Sequence, residues 1–287
     1  MLETIFYGLT IGAILYFFSI GLSLTFGTIH IINFAHGMVY ALGVYIFIAA
    51  LKVVDSFILS LIAAVLALVP VAWLIERFII RRLYGAGLDY AMIATYALLL
   101  IGTDLIKMIW GGTPHPVSDP IGRTVAFLGM SIPVYRVVIV LSAVALFGAL
   151  RYFFSRSMIG RIVVAALEDP DGVRCLGLDV NRYFSIIFVL GSVLAVLGGV
   201  LYAPVATAEP YMGFHILLLA FAVVIVGGMG NLTGTFWAAF LLGLVIAVTG
   251  RYYASGAEAM VFVVMAVVLV KDSLISGLRQ IFGRQGA

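Results

Sequence analysis

Residues 160–183 read GRIVVAALEDPDGVRCLGLDVNRY, a charged island between two long apolar runs. With Arg151 and Arg156 just upstream, it gathers Arg161, Arg174 and Arg182 with Glu168, Asp169, Asp171 and Asp179. At roughly 3 kcal/mol per charge near a bilayer centre, burying this set in lipid would cost on the order of 25 kcal/mol, so the segment belongs in water. Inside it, Asp169 suits an N-cap, Pro170 the first helical position, and Gly177 a left-handed stop. The spacing predicts a two-turn helix over 169–177. Its apolar side carries Val173, Leu176 and Leu178, and nothing adjacent in sequence offers a soluble domain to cover them. A helix seated in a groove of another protein is the arrangement that fits.

Taken whole, the 287 residues are 64% hydrophobic and 10% charged, with a mean hydropathy of +1.22. That composition excludes a soluble protein and predicts an all-α, polytopic helical bundle in a membrane. The net charge of +3 does not indicate a nucleic-acid partner, because the basic residues sit at the ends of apolar runs and form no stripe with interleaved aromatics. Bilayer-length runs are Thr4 to Phe26, Asp55 to Ile75, Leu88 to Trp110, Val134 to Phe154 and Tyr183 to Ala203. Ile31 to Leu51, Phe214 to Gly228, Leu232 to Thr249 and Ala257 to Val270 are shorter or interrupted and read as candidates for broken or re-entrant helices. Eight to ten spans are expected, the first retained as a span because no cleavage signal follows it.

Basic residues collect at Arg77, Arg81 and Arg82, in the island, and at Lys271, Arg279 and Arg284. By the bias of Lys and Arg towards the cytoplasm, all three groups face inward and the loop over 111–133 faces out. The whole chain, 1–287, is expected to form one transmembrane domain with a cytoplasmic loop at 155–182, since no aqueous segment is long enough for its own core. The lone Cys175 can form no internal disulfide, and His115 has no second ligand at metal spacing. No lysine follows a glycine as a phosphate-binding loop requires, so any nucleotide hydrolysis must reside on another chain. No catalytic, cofactor or metal residues are expected here.

Polar residues inside the apolar runs need a reason. INFAHGMVYALGVYI places Asn33, His36 and Tyr40 near one another on a helix surface. They either hydrogen-bond neighbouring spans or line a solute path where a broken helix faces a cavity. A second Gly-rich break, GGMGNLTGTFW at 227–237, carries Asn231 and resembles the first. Asp104 and Lys107, one turn apart, are placed to neutralise each other. Asp104 is the one acidic group a stand-alone ion-coupled carrier or channel could use, which is the competing function.

Three blocks, GLSLTFGTIHIINFAHGMVYALGVYI (21–46), SRSMIGRIVVAALEDPDGVRCLGLDVNRYFSIIFVLGSVLAVLGGVLY (155–202) and GFHILLLAFAVVIVGGMGNLTGTFWAAFLLGLV (213–245), resemble the membrane subunits of branched-chain amino-acid ABC importers, the LivH-type permeases. The resemblance implies a multi-pass subunit of a bacterial inner membrane. It would be paired with a second, LivM-like permease, driven by two cytosolic ATPase subunits that bind ATP and Mg, and fed by a periplasmic solute-binding protein. It makes the 169–177 helix the coupling helix, with Glu168, Asp169, Asp171, Arg174, Leu176 and Gly177 as the ATPase contact. Asn33, His36, Tyr40 and Asn231 then lie on the translocation path. Gly172 departs from the family's pattern by placing a poor helix former inside that helix.

Overall fold

Each of the nine apolar runs forms a helix in the computed structural model, which describes residues 1–29, 31–127 and 130–283. They are α1 (Leu2–Ile29), α2 (Ala35–Val54), α3 (Phe57–Phe78), α4 (Leu88–Trp110), α5 (Val134–Arg156), α8 (Val180–Tyr202), α9 (Met212–Gly227), α10 (Leu232–Tyr252) and α11 (Ala257–Gly283). Eight are long and apolar enough to cross a membrane, and α9, at 16 residues, is the short one. The charged island supplies the remaining two, α6 (Met158–Glu168) and α7 (Pro170–Cys175). A two-stranded hairpin, β1 (Thr124–Phe127) and β2 (Met130–Pro133), stands in the loop between α4 and α5, pairing Thr124 with Pro133 and Val125 with Ile132.

The bundle is built around α1. A helix apolar on every side must be enclosed by others, and α1 and α8 are the most buried of the spans. α1 packs along α8 and α10 at places where no side chain intervenes. A Cβ on Gly12 would fall 2.7 Å from the Phe240 Cα, and Gly243 of α10 faces Gly12 from the other side. In a bilayer, where apolar burial does not drive association between helices, such backbone contact supplies the packing energy. α3, α4, α5 and α11 form the rim and present apolar side chains such as Ile93, Met108 and Val267 outward.

The two ends of the bundle differ in charge. Arg81, in the short helical turn Ile80–Leu83 after α3, donates from Nη2 to Ser185 Oγ at 2.6 Å, bringing that turn to the start of α8 beside α6 and α7. At the opposite end Lys107 meets Tyr211, Arg251 meets Thr4, and His115 exchanges backbone hydrogen bonds with Ala208. Two of the three basic groups thus share one end. Arg284, in the third, lies outside the described residues, as does the side chain of Arg279.

α2 is a continuous 20-residue helix, so the expected break falls before it, at 31–34, and that break is buried: Ile31 and Asn33 are enclosed, and the Ile32 carbonyl accepts from Thr95 of α4. Immediately afterwards Gly37 meets Gly213 of α9 so closely that a Cβ on either would strike the other's carbonyl.

Candidate functional site

At the arginine-rich end, local chemistry shapes the island. Ser157 Oγ accepts from the Gly160 amide and caps α6; Asp169 Oδ1 accepts from the Gly172 amide at 2.9 Å and caps α7. Gly172, a poor helix former, is the residue whose amide the cap uses, and a Cβ there would collide with the Asp169 carboxylate. Gly177 ends the helix at φ +79°, a conformation that disfavours any other residue. Asp171 and Arg174 pair across one turn at 2.7 Å, both exposed, where such a pair contributes little. The side chain of Glu168 lies outside the described residues.

The apolar side of α7 is covered differently from the expectation. Val173 is buried against Ala166 of α6 and Val180 and Phe184 of α8, with Leu178 packed beside them, so only Leu176, 78% exposed, projects from the surface. The sequence leaves Val173 without a visible partner because its partners lie in helices that only the tertiary fold brings near. This small core continues into the bundle. Tyr84 packs its ring edge-on to Phe184 and donates to Glu76 Oε1 at 2.9 Å, and Arg81 Nε reaches the same oxygen at 3.3 Å. Glu76 is fully buried in α3. A carboxylate enclosed there needs both partners. Burial, and after it the Glu76 charge, push the Tyr84 phenol above its usual range, so it remains a donor. Sequence reasoning missed Glu76, which hides beside Arg77 in what reads as a solvated basic cluster.

Asn33, His36 and Tyr40 are all buried within the bundle. His36 Nε2 lies 3.2 Å from the Phe18 carbonyl, which can only accept, so Nε2 carries the hydrogen. The Phe18 ring meets His36 and Tyr40 edge-on at 4.8 and 5.1 Å between centroids. Both side-chain polar atoms of Asn33, His36 Nδ1 and the Tyr40 hydroxyl have no hydrogen-bond partner among the described residues. Asn231 stands apart: it is exposed, and its Oδ1 caps α10 by accepting from the Gly234 amide at 3.0 Å. The turn it ends rests on α1, where Ser23 Oγ accepts from the Gly230 amide and meets Thr235 Oγ1 at 3.0 Å.

At the end opposite the arginines, α1, α9, α10 and α11 enclose a cavity of about 500 Å³. Tyr7, Thr10, Tyr202, Glu209, His215 and Glu258 give it a polar lining over apolar walls, and His215 Nε2 is 3.8 Å from Glu209 Oε1. These groups come from four separate stretches of chain, and no local spacing in the sequence could have gathered them. Asp104 is 69% exposed and bonded to Lys107 at 2.9 Å, as its spacing suggested. Among the described residues no cluster of three or more His, Cys, Asp or Glu could hold a metal ion.

This architecture has relatives. Residues 4–271 match the family described as branched-chain amino acid transport system / permease component. The chain is 28% identical over 269 residues to the high-affinity branched-chain amino acid transport system permease protein LivH of Escherichia coli (strain K12), covering 88% of this chain and 86% of that one. It is 30% identical over 259 residues to the permease protein BraD of Pseudomonas aeruginosa, covering 85% and 84%. It is also 28% identical over 199 residues to the ribose import permease protein RbsC of E. coli, at 63% and 58% coverage. Among solved structures, PsaBC from Streptococcus pneumoniae in complex with Fab shares the fold at a TM-score of 0.50 and 14% identity, over 92% of this chain and 88% of that one. A multi-span bundle, a capped helix at its arginine-rich end and similarity along nearly the whole chain lead to one conclusion: the protein belongs to the family of branched-chain amino-acid transport permeases, and is a transporter subunit rather than an enzyme.

Proposed function

We propose that the chain, acting throughout its length as one transmembrane domain, forms half of the translocation path of an ATP-driven importer in a bacterial inner membrane. A second, LivM-like permease completes the path, two cytosolic ATPases bind ATP and Mg and drive it, and a periplasmic protein delivers the solute, a branched-chain or related amino acid. The observation that carries the reading is α7: a capped helix at the basic end, fixed to the bundle through Val173 and presenting Leu176 outward. Glu168, Asp169, Asp171, Arg174, Leu176 and Gly177 form the contact with the ATPase, with Asp169 and Gly177 acting through the shape of the helix. Motion imposed on α7 passes by way of Phe184 and Tyr84 to α3 and α8, which switch access between the two faces. Asn33, His36 and Tyr40 line the path in the other access state, and Asn231 acts through the turn it caps.

Liposomes holding this chain with its co-encoded permease, ATPases and binding protein should accumulate radiolabelled leucine only when ATP is enclosed with the ATPases. Liposomes holding this chain alone should accumulate none. Uptake by the chain alone under an ion gradient would instead establish the stand-alone carrier, a reading that the exposed, Lys107-paired Asp104 does not favour.

A further inference from the structure

A groove of about 610 Å³ opens between α3 and α8 at the arginine-rich end of the bundle, on the rim and outside the path just described. Its walls are apolar and run onto the outward face of the helices: Val69, Pro70 and Trp73 on one side, Ile186 and Val189 on the other, with Trp73 and Ile186 themselves exposed. Its mouth is cationic and polar, formed by Arg81, Arg182 and Ser185. The acidic groups nearby are already committed. Glu76 holds Arg81 Nε from inside, and Asp179 turns back to cap α8 by accepting from the Asn181 amide. Arg81 is fixed by Glu76 and Ser185, with no hydrogen bond from its Nη1 among the described residues. Arg182 is exposed and makes no side-chain hydrogen bond or ion pair among them.

We propose that this groove is a binding site for an anionic phospholipid of the surrounding bilayer. The phosphate sits between Arg81 and Arg182, Ser185 lies beside it, and an acyl chain runs along Trp73 and Ile186. Three features converge on that occupant. The groove is apolar where acyl chains lie and cationic where headgroups lie, and a Trp of the kind that anchors at the membrane interface forms one wall. One arginine is held rigid and the other is free to close on the ligand. A zwitterionic lipid would bring its own cation against both arginines, so the site discriminates by headgroup charge.

The assembled transporter, stripped of lipid in mild detergent, is titrated with phosphatidylglycerol and with phosphatidylcholine, and bound lipid is counted by native mass spectrometry. Phosphatidylglycerol should bind more tightly, and Arg182→Gln should weaken it about fivefold, as expected for losing one arginine near a headgroup. The Arg182 side chain makes no hydrogen bond or ion pair among the described residues, so this substitution leaves folding intact. Arg77→Gln, which removes an equal charge at the end of α3 but outside the groove, should change the binding much less. Equal binding of the two lipids, an Arg182→Gln variant that binds normally, or equal losses in both variants would overturn the proposal, the last by reducing it to diffuse surface charge. If millimolar inorganic phosphate displaces the phosphatidylglycerol completely, the site is one for free phosphate and the lipid assignment fails.

Discussion

Tyr84 and Glu76 form the junction between the charged-island helices α6 and α7 and the membrane bundle: the phenol donates to a fully buried carboxylate at 2.9 Å while its ring rests on Phe184. Removing the hydroxyl leaves a buried charge with one partner fewer. Tyr84→Phe keeps the ring contact and should destabilise the protein by about 1–3 kcal/mol, read as a lower Tm in detergent. An unchanged Tm would show that Arg81 alone suffices at Oε1, Oε2 having no partner among the described residues with or without the phenol.

Leu176 is the apolar side chain that the fold leaves uncovered on α7. Leu176→Asp should therefore leave the amount of protein in the membrane unchanged and lower ATP-driven uptake on the order of tenfold or more, the scale of losing an interface anchor. Val173→Asp should instead reduce the amount of protein, because it places a charge in the small core of Ala166, Val180 and Phe184. Immunoblotting of membranes beside uptake assays separates the two, and normal uptake by Leu176→Asp would remove α7 as the ATPase contact.

Asn33 and His36 have buried polar atoms with no hydrogen-bond partner among the described residues, each costing about 1–3 kcal/mol. The double substitution Asn33→Leu with His36→Phe should raise the Tm and depress transport together. Transport at the original rate would assign both residues to helix packing.

Gly213 and Gly37 touch backbone to backbone. Gly213→Ala should cost about 1–3 kcal/mol through overpacking, seen as a lower Tm. A neutral result would mean that α9 can shift on α2 without loss.

What the sequence disclosed, and what it hid, divides by the range of the forces involved. The apolar runs, the Asp169 cap and the Gly177 stop depend on neighbours within a few residues, and each stands where its spacing put it. The run 257–270 is short only in composition: it is the first half of the 27-residue α11, whose helix continues past the apolar stretch. α6 is masked in the sequence by the charges of Arg161 and Glu168, while Ile162, Val163 and Ala166 set an apolar side that becomes visible only where it packs on α5 and α8. Asn231 was legible as a polar residue at a break, but its capping of α10 is a matter of backbone geometry. The Tyr84–Glu76 bond and the polar cavity below Glu209 depend on long-range contacts and left no periodic trace.

The seam of Gly12 against Gly243 joins the first span to one made more than two hundred residues later. During synthesis α1 therefore enters the lipid without the neighbour it fits best, and the centre of the molecule can close only when translation is nearly finished. A ribosome stalled before α10 would release a chain whose opening helix still lacks its mate, a natural point for membrane proteases to discard incomplete copies.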